Sequence, residues 1–295
     1  MPHSLVHDSQ NNLVLLGSTS STNYPTTSGA YDQTFNGGWA NTYANMWGYS
    51  YSNGADIAIT KLNSLGNLIN STLIGGSDND GINESMVYNY ADQGRGEVVL
   101  DANDNVYVAT SLWSDDFPGI SGSGINNGTG WGAQDAIVFK MNSDLSSLIW
   151  ARYLGGSMFE CGNSIRVSNQ GKVFVCGATT STDIGTTFLV YDQTFNGVWD
   201  GYVASFDANT GSPIARTYLG TSDYDQAFIL EVDDQESVYV VGQTLGSYPV
   251  MFIVGGGSYS VPNSSQFIHK LSPALDLTLY STVFGDGSHS SINIS

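Results

Sequence analysis

The chain has 295 residues, of which 41% are apolar, so it can build a sizeable core as one large domain or two ordinary ones. Its 27 acids outnumber its 8 bases and give a formal charge of −19, which argues against nucleic acid or an anionic membrane as partner. No stretch approaches the roughly 18 apolar residues of a membrane-spanning helix, and 35 glycines beside only 12% charged residues indicate an all-β chain with many tight turns.

The two ends of the chain show no targeting signal. No basic segment followed by an apolar run occurs at the N-terminus, so no signal peptide is predicted there. The last residues, 290–295, alternate between polar and apolar and resemble the start of another strand. We therefore expect both ends to continue into a longer protein.

An internal repeat is the strongest signal in the sequence. The heptapeptide Tyr-Asp-Gln-Thr-Phe-Asn-Gly occurs at residues 31–37 and again at 191–197. Around it, a unit of about 65 residues recurs four times, because Gly177 and Gly242 occupy the same place in successive copies. The first copy is longer, with insertions between Trp39 and Asp56 and between Gly76 and Glu97.

Each copy contains four candidate strands. In the third copy these are residues 164–168, 173–178, 202–207 and 214–219, in which β-branched and aromatic residues alternate. Turn-forming residues join the first pair at 169–171 and the second pair at 208–211, which predicts two antiparallel hairpins. A β-solenoid is the alternative, but its repeats of roughly 20–30 residues are much shorter.

The pattern predicts an all-β fold, a β-propeller of about four four-stranded antiparallel blades, either closed or an open arc of a larger propeller. We expect a single domain over residues 1–295. Its repeats are predicted at residues 4–96, 97–163, 164–228 and 229–288.

The repeated blocks resemble a known family. The segments that carry the resemblance are residues 15–20, 24–27, 29–38, 61–63, 71–77 and 279–285. They are similar to the SBBP repeats, which form seven-bladed β-propellers in bacterial surface proteins. The last of them resembles the propeller regions of Bacteroidota surface proteins that carry a gliding-motility-associated C-terminal sorting domain. The resemblance implies an extracellular or cell-surface location and brings no shared catalytic residues.

Two sets of carboxylates recur between copies. One set leads the third strand of three copies (Asp56, Asp135 and Asp200), and the other follows the glycines that close a copy (Asp80, Glu160 and Asp225). A ring of carboxylates around a ligand is one interpretation. Because a single site needs only one copy, repetition favours a structural role in which each carboxylate accepts hydrogen bonds from backbone N–H groups of a nearby loop.

Calcium is the one cofactor that the sequence allows us to consider. The densest groups of oxygen-bearing side chains contain Asp78 and Asp80 in one segment and Asp101 and Asp104 in another. Neither group has the spacing of an EF-hand loop. A bound cation would relieve the repulsion within a chain of charge −19. We keep calcium as a possibility and expect no other cofactor.

The insertion at residues 40–55 is the best candidate for a ligand site. With the residue before it, it supplies five aromatic side chains: Trp39, Tyr43, Trp47, Tyr49 and Tyr51. Aromatic faces on a polar loop suit stacking against sugar rings, and variable loops carry function on rigid scaffolds. The alternative is a loop that packs its aromatic residues into a small core of its own.

The sequence offers few groups for catalysis. The histidines (His3, His7, His269 and His289) lack metal-ligand spacing, and no nucleophile elbow or phosphate-binding loop occurs. Residues 207–211 resemble a turn of quinone-dependent propellers but lack its tryptophan, so they predict an ordinary hairpin. Cys161 and Cys176 are predicted to be buried apolar residues, with a disulfide as the less favoured alternative.

We therefore predict a non-enzymatic extracellular scaffold or adhesion segment that binds glycans or surface proteins through its rim loops. The alternative is a fragment of a carbohydrate-active enzyme, a glycoside hydrolase or lyase that uses rim carboxylates. Two carboxylates facing one open cleft would favour the enzyme, and carboxylates bonded to backbone in each blade would favour the scaffold.

Overall fold

A computed structural model describes residues 1–42, 50–89, 91–120, 133–252 and 259–285. In these residues the chain forms strands and one short 3₁₀ turn at Asp92–Gly94. The strands are β1 (Pro2–His7), β2 (Leu13–Thr19), β3 (Asn41–Thr42), β4 (Ser50–Tyr51), β5 (Asp56–Leu62), β6 (Leu68–Ile74), β7 (Glu97–Leu100), β8 (Val106–Leu112), β9 (Asp135–Met141), β10 (Leu148–Leu154), β11 (Glu160–Val167), β12 (Lys172–Thr179), β13 (Asp200–Asp207), β14 (Pro213–Leu219), β15 (Asp225–Val232), β16 (Val238–Thr244), β17 (Gln266–Leu271) and β18 (Thr278–Phe284).

The strands build four antiparallel sheets of four strands each. Blade 1 has the order β1-β2-β5-β6, blade 2 β7-β8-β9-β10, blade 3 β11-β12-β13-β14 and blade 4 β15-β16-β17-β18. A separate two-stranded ribbon, β3-β4, lies within the insertion of the first copy. The predicted all-β, propeller-type architecture with four four-stranded blades is confirmed.

Every blade has the same two ends. The hairpin turns that join its first two and its last two strands lie at one end, which we call the lower rim. The connection from the second to the third strand and the connection to the next blade lie at the other end, the upper rim. This arrangement follows from the meander order of the strands, and it places the carboxylate-led strand starts on the upper rim.

The core lies between neighbouring blades. Three large hydrophobic clusters join blade 1 to blade 2, blade 2 to blade 3 and blade 3 to blade 4. The first strands of all four blades border one cavity of about 420 Å³, which includes His3, Glu97, Asn163 and Phe228 in its wall. Stacked sheets whose first strands surround a common axis are the arrangement of a propeller. Among the described residues, no hydrophobic cluster joins blade 4 to blade 1.

The first strand of blade 3 begins earlier than the sequence indicates. The sequence predicts this strand at residues 164–168, whereas β11 begins at Glu160, and the equivalent β15 of blade 4 begins at Asp225. Each of these strands contains a register shift, between Gly162 and Ser164 in β11 and between Ala227 and Ile229 in β15. The residues of β11 that precede the shift, Glu160–Gly162, include no β-branched or aromatic side chain, so the sequence pattern shows only the part that follows it.

No helix in the described part of the chain is long and apolar enough to cross a membrane.

Candidate functional site: the upper rim

The upper rim carries the recurrent carboxylates, one pair at each junction between blades. At the first junction, the Asp56 carboxylate accepts hydrogen bonds from the backbone N–H groups of Asn36 (2.7 Å) and Gly37 (2.9 Å). These two residues end the repeated heptapeptide. Burial raises the pKa of Asp56 to about 6, although the two N–H groups partly offset this effect. The carboxylate thus anchors the loop that connects β2 to the insertion.

The second carboxylate of this junction is Asp80. It accepts hydrogen bonds from the backbone N–H of Gly76 at 2.6 Å and from the hydroxyl of Ser114 in blade 2 at 2.8 Å. Burial raises its pKa to about 7. Gly75 lies between Asp80 and Asp56, and a Cβ atom at that position would lie 2.8 Å from an Asp80 oxygen and 3.0 Å from an Asp56 oxygen. The glycine therefore makes room for both carboxylates.

The second junction repeats the pair with Asp135 and Glu160. Glu160 accepts hydrogen bonds from the backbone N–H of Gly156 at 2.9 Å and from the hydroxyl of Thr179 at 2.5 Å. Burial raises the pKa of Glu160, and the side chain of Asp135 lies within hydrogen-bonding reach of it. Gly155 has the place that Gly75 has in the first junction, with both carboxylates against its Cα.

The third junction contains Asp200 and Asp225. Asp200 accepts a hydrogen bond from the backbone N–H of Asn196 at 2.8 Å, in the second copy of the heptapeptide. Asp225 accepts hydrogen bonds from the N–H and hydroxyl of Thr221 at 2.6 and 2.7 Å. Burial raises the pKa of Asp200 to about 7 and that of Asp225 to about 6.

These carboxylates face the protein interior. Of the six, Asp135 is 4% exposed and the other five are fully buried. Each of the five with a described hydrogen bond binds a backbone N–H group of a rim loop. They hold the loops of the upper rim in place and are shielded from any substrate in solution.

A row of aromatic side chains crosses the upper rim above the first two junctions. The ring of Trp39 lies edge-to-face against Trp113, with 5.2 Å between centroids, and Trp113 lies 6.2 Å from Phe159. Trp39 is 42% exposed. Its backbone carbonyl accepts a hydrogen bond from the side-chain amide of Asn79, which fixes the start of the insertion. We call Trp39, Trp113 and Phe159 the aromatic row.

A second aromatic group lies over the third junction. Tyr224 stacks on Tyr88 with 4.2 Å between centroids and contacts Trp199 at 5.2 Å. Tyr88 is 45% exposed, whereas Tyr224 is buried. Trp199 has the same place in its copy as Trp39 has in the first copy, since each follows the heptapeptide by two residues. The repeat therefore sets aromatic rings on the upper rim twice.

Tyr51, another aromatic residue predicted as a ligand contact, does not join the row. Tyr51 is 4% exposed, and its hydroxyl pairs with that of Ser18 at 2.8 Å. It packs with Ala55 and Ile82 in a small hydrophobic cluster. Tyr43, Trp47 and Tyr49 lie outside the described residues.

The four aspartates considered for calcium lie at opposite ends of the sheets. Asp78 and Asp80 are on the upper rim, whereas Asp101 and Asp104 are in the lower-rim turn of blade 2. Asp101 accepts hydrogen bonds from Asn105 and from the hydroxyl of Tyr107, and Asp104 accepts two from Ser9 of blade 1. In the described ranges, no three His, Cys, Asp or Glu side chains are grouped as metal ligands would be.

Of the described histidines, His269 is buried, His3 is half-buried and His7 is exposed. His269 is buried between the hydroxyls of Tyr248 (2.9 Å) and Thr278 (2.8 Å). His3 pairs with the Ser18 hydroxyl at 3.2 Å, and His7 with the Asp8 carbonyl at 3.1 Å. His289 lies outside the described residues. Cys161 and Cys176 are free thiols and fully buried.

Sequence reasoning missed Trp113 and two exposed aspartates beside it. Asp116 accepts a hydrogen bond from the backbone N–H of Ser77 at 2.8 Å, and Asp115 is its neighbour in the chain. Burial and the negative charges of Asp116 and Asp115 raise the pKa of Asp78. The other copies have Ser20, Thr180 and Leu245 at the place of Trp113. A tryptophan where the other copies have smaller side chains is therefore the sequence signal that could have identified Trp113.

No protein-family model matches the chain, and no curated protein matches it. Among solved structures, a luciferin-regenerating enzyme is similar, with 12% sequence identity, a TM-score of 0.34 and an alignment that covers 97% of this chain and 77% of the other.

Proposed function

We propose that this chain is a non-enzymatic propeller segment of a secreted or cell-surface protein, and that the aromatic row on its upper rim binds neutral glycans. The observation that supports this function is the Trp39 side chain, 42% exposed on the upper rim, with its ring packed edge-to-face against Trp113 at 5.2 Å between centroids. Indole faces stack on the C–H faces of sugar rings. The resemblance to SBBP repeats supports the surface location.

The carboxylates support a scaffold more than a catalyst. A retaining or inverting glycosidase needs two carboxyl groups on either side of a bound sugar. Here the junction pairs are buried and bound to backbone N–H groups, as described above. The charge of −19 disfavours sulfated or otherwise acidic glycans, which is why we propose neutral ones.

A glycan array tests the proposal with three proteins: the unmodified chain, Trp39→Ala and Phe188→Ala. Phe188 is 84% exposed in a loop of blade 3 and is not part of the aromatic row, so its variant controls for the loss of any exposed ring. We expect neutral glycans to bind the unmodified chain and Phe188→Ala, and to lose most of their signal with Trp39→Ala. Equal binding by all three proteins, or binding by none, would contradict the proposed site.

One observation favours the enzymatic alternative. Asp78 lies on the upper rim, and burial together with the charge of the exposed Asp116 raises its pKa. Asp116 binds the backbone N–H of Ser77, next to Asp78, and follows Trp113 of the aromatic row by three residues. A carboxyl group with a raised pKa can act as a general acid. Incubation of the bound glycan with the chain and with Asp78→Asn tests this alternative. Release of sugar by the unmodified chain alone would support it.

A further inference from the structure

In the described part of the chain, blades 1 and 4 each leave one face uncovered. In the central blades both faces are covered, and every residue of β8 and β9 is buried. In blade 4, burial alternates along β16 and β17, so one face is buried against blade 3 and the other is accessible. The same alternation occurs in β2 of blade 1. We call the side of a blade that faces the preceding blade its leading face, and the opposite side its trailing face.

The leading face of blade 1 carries apolar residues at the positions that are buried between blades elsewhere in the chain. The strand registers make Leu5 equivalent to Val98, Ile165 and Leu230, because each pairs with the same position of the second strand. The three internal residues are fully buried against the preceding blade, whereas Leu5 is 56% exposed. Leu13 is likewise 38% exposed, and its equivalents Val106, Val173 and Val238 are buried.

The trailing face of blade 4 is the matching surface. Its accessible apolar residues are Tyr239, Val241 and Ile268. The residues at these positions in the other blades are buried against the next blade: Val14, Leu16 and Ile59 in blade 1, Tyr107, Ala109 and Val138 in blade 2, and Phe174, Cys176 and Val203 in blade 3. The trailing face of blade 4 is therefore equivalent to the three trailing faces that are covered by the leading face of the next blade.

A specific polar contact accompanies this packing in blade 2. Lys140 lies over the ring of Tyr107 and beside Asp101, and its ammonium group donates to the backbone carbonyl of Ala208 at 3.3 Å. The Tyr107 hydroxyl reaches the same carbonyl at 3.1 Å. Ala208 is in the lower-rim turn of blade 3. In blade 1, Lys61 reaches the carbonyl of Ser143, the equivalent residue of blade 2, at 3.4 Å.

Blade 4 contains the same group without a following blade. Lys270 lies over the ring of Tyr239, 4.4 Å from its centroid, and forms an ion pair with Asp233 at 2.9 Å. The Tyr239 hydroxyl lies 3.3 Å from Asp233, as that of Tyr107 lies 3.1 Å from Asp101 in blade 2. The group is assembled, and among the described residues the hydrogen-bond partners of the Lys270 ammonium are Asp233 and the Tyr239 hydroxyl rather than a turn carbonyl of another blade.

We propose that a second copy of the chain supplies it, with the leading face of its blade 1 on the trailing face of blade 4. Ser64 is the residue of blade 1 that corresponds to Ser143 and Ala208, because each lies three residues after the same third-strand position, which is Lys61, Lys140 or Ser205. Its carbonyl is therefore the acceptor for Lys270. The interface continues the three that the chain already forms, with apolar residues at the centre and one charge-assisted hydrogen bond.

The number of blades indicates that the assembly closes after two copies. A head-to-tail interface generates either a ring or an open filament. Propellers usually have about 4–8 blades, so the four blades of this chain reach the upper end of that range when they are doubled. Two copies then form a ring with two identical interfaces and no exposed trailing face.

Light scattering coupled to size-exclusion chromatography measures the mass of the particle directly. We expect twice the 31.5 kDa of one chain. Leu15 pairs with Leu5 and lies on the leading face, since its equivalents Val108, Val175 and Val240 are buried against the preceding blade. The variants Leu15→Glu, on the leading face, and Val241→Glu, on the trailing face, are expected to be monomers. Ile149→Glu changes a 46% exposed residue on the outermost strand of blade 2 and is expected to remain a dimer. Circular dichroism and thermal melting establish that each variant is folded.

Mixing the two monomeric variants distinguishes a head-to-tail interface from any other. Leu15→Glu keeps an intact trailing face and Val241→Glu an intact leading face, so the mixture regains one good interface and should form a two-chain species. A mixture that stays monomeric would overturn the proposal. An unmodified chain that is monomeric at every concentration would also overturn the proposal and would leave the trailing face to another partner. A mass that grows without limit would overturn it too, because it would indicate a filament.

Discussion

Gly177 lies so close to the carbonyl oxygen of Cys161 that a Cβ atom at this position would overlap it. The contact occurs beside the register shift between Gly162 and Ser164 in β11. Gly17 and Gly242 hold the same position in blades 1 and 4, opposite the shifts in β1 and β15. Blade 2 has Thr110 there, and the paired residues of β7 and β8 keep an even register. The recurrent glycine is therefore the partner of a bulge in the first strand.

Gly177→Ala should consequently destabilise the protein. The added methyl group must displace backbone rather than a flexible side chain, so we expect a loss of roughly 1–3 kcal/mol or more in the free energy of unfolding, measured by denaturant titration. Gly171→Ala is the matched control. It has a positive φ of 83° but no atom within 4 Å of the new methyl group, and it should cost only about 1 kcal/mol. Equal losses would contradict this explanation.

Asp56→Ala should release the heptapeptide loop from blade 1. The substitution leaves the N–H groups of Asn36 and Gly37 without their acceptor, and we expect about 1–3 kcal/mol of destabilisation for each unsatisfied group that stays buried. Limited proteolysis should then cut the chain near residues 31–37. The exposed Gln33 of the same loop provides the control variant, Gln33→Ala, which should resist cleavage as the unmodified chain does.

The buried carboxylates predict that stability increases as the pH falls from 8 to 5. Burial raises the pKa values of Asp56 and Asp225 to about 6 and those of Asp80 and Asp200 to about 7, from 3.8. Their protonation therefore favours the folded state. That contribution is complete below the unfolded pKa and disappears as the pH rises through 6 to 7. Melting temperatures across this range measure it.

At lower pH the trend should reverse. The pKa of Asp233 is lowered to about 2 by the hydrogen bond from Lys270, so its contribution is lost on acidification below the ordinary pKa of 3.8. Asp80→Asn should flatten the dependence between pH 5 and 8, since it removes one of the titrating groups. Asp207→Asn, at an exposed turn, should leave the slope in that range unchanged, because the pKa of Asp207 is lowered instead. A melting temperature that falls steadily from pH 8 to 5 would refute the prediction.

The thiols should be unreactive in the folded protein. Cys161 and Cys176 are fully buried, and burial raises the pKa of Cys161 to about 12 and that of Cys176 well above its usual value. Because the thiolate is the reactive form, a chromogenic disulfide reagent at pH 8 should label neither residue in the native state. It should label both after denaturation. Rapid labelling before unfolding would show that blade 3 opens locally.

The sequence predicted the blade better than the rim. Four strands per copy, their order and the acid-led third strand follow from the alternation of apolar residues and from repeated turns, which are local signals. Local signals could not predict which residues the paired carboxylates of the upper rim contact. Asp80 meets Ser114 of the next blade, 34 residues along the chain, and only the stacking of sheets brings them together.

Two further differences have the same origin. Tyr51 is a predicted ligand contact, but it is buried. Its hydroxyl forms a hydrogen bond with that of Ser18, 33 residues away in the chain. The distribution of Asp78 and Asp101 between opposite rims follows from the direction in which each strand runs. Local pattern indicates which residues belong to a strand, whereas the environment of a loop side chain depends on contacts between distant segments.

The meander order within each blade has a consequence for how this protein forms. Each sheet is complete within one contiguous stretch of chain, and no strand from the far end is needed to finish it. The three large hydrophobic clusters between blades each join two successive sheets. A nascent chain can therefore add one finished sheet after another as it leaves the ribosome, and folding can start in any of them and spread to its neighbours, as in other repeat proteins.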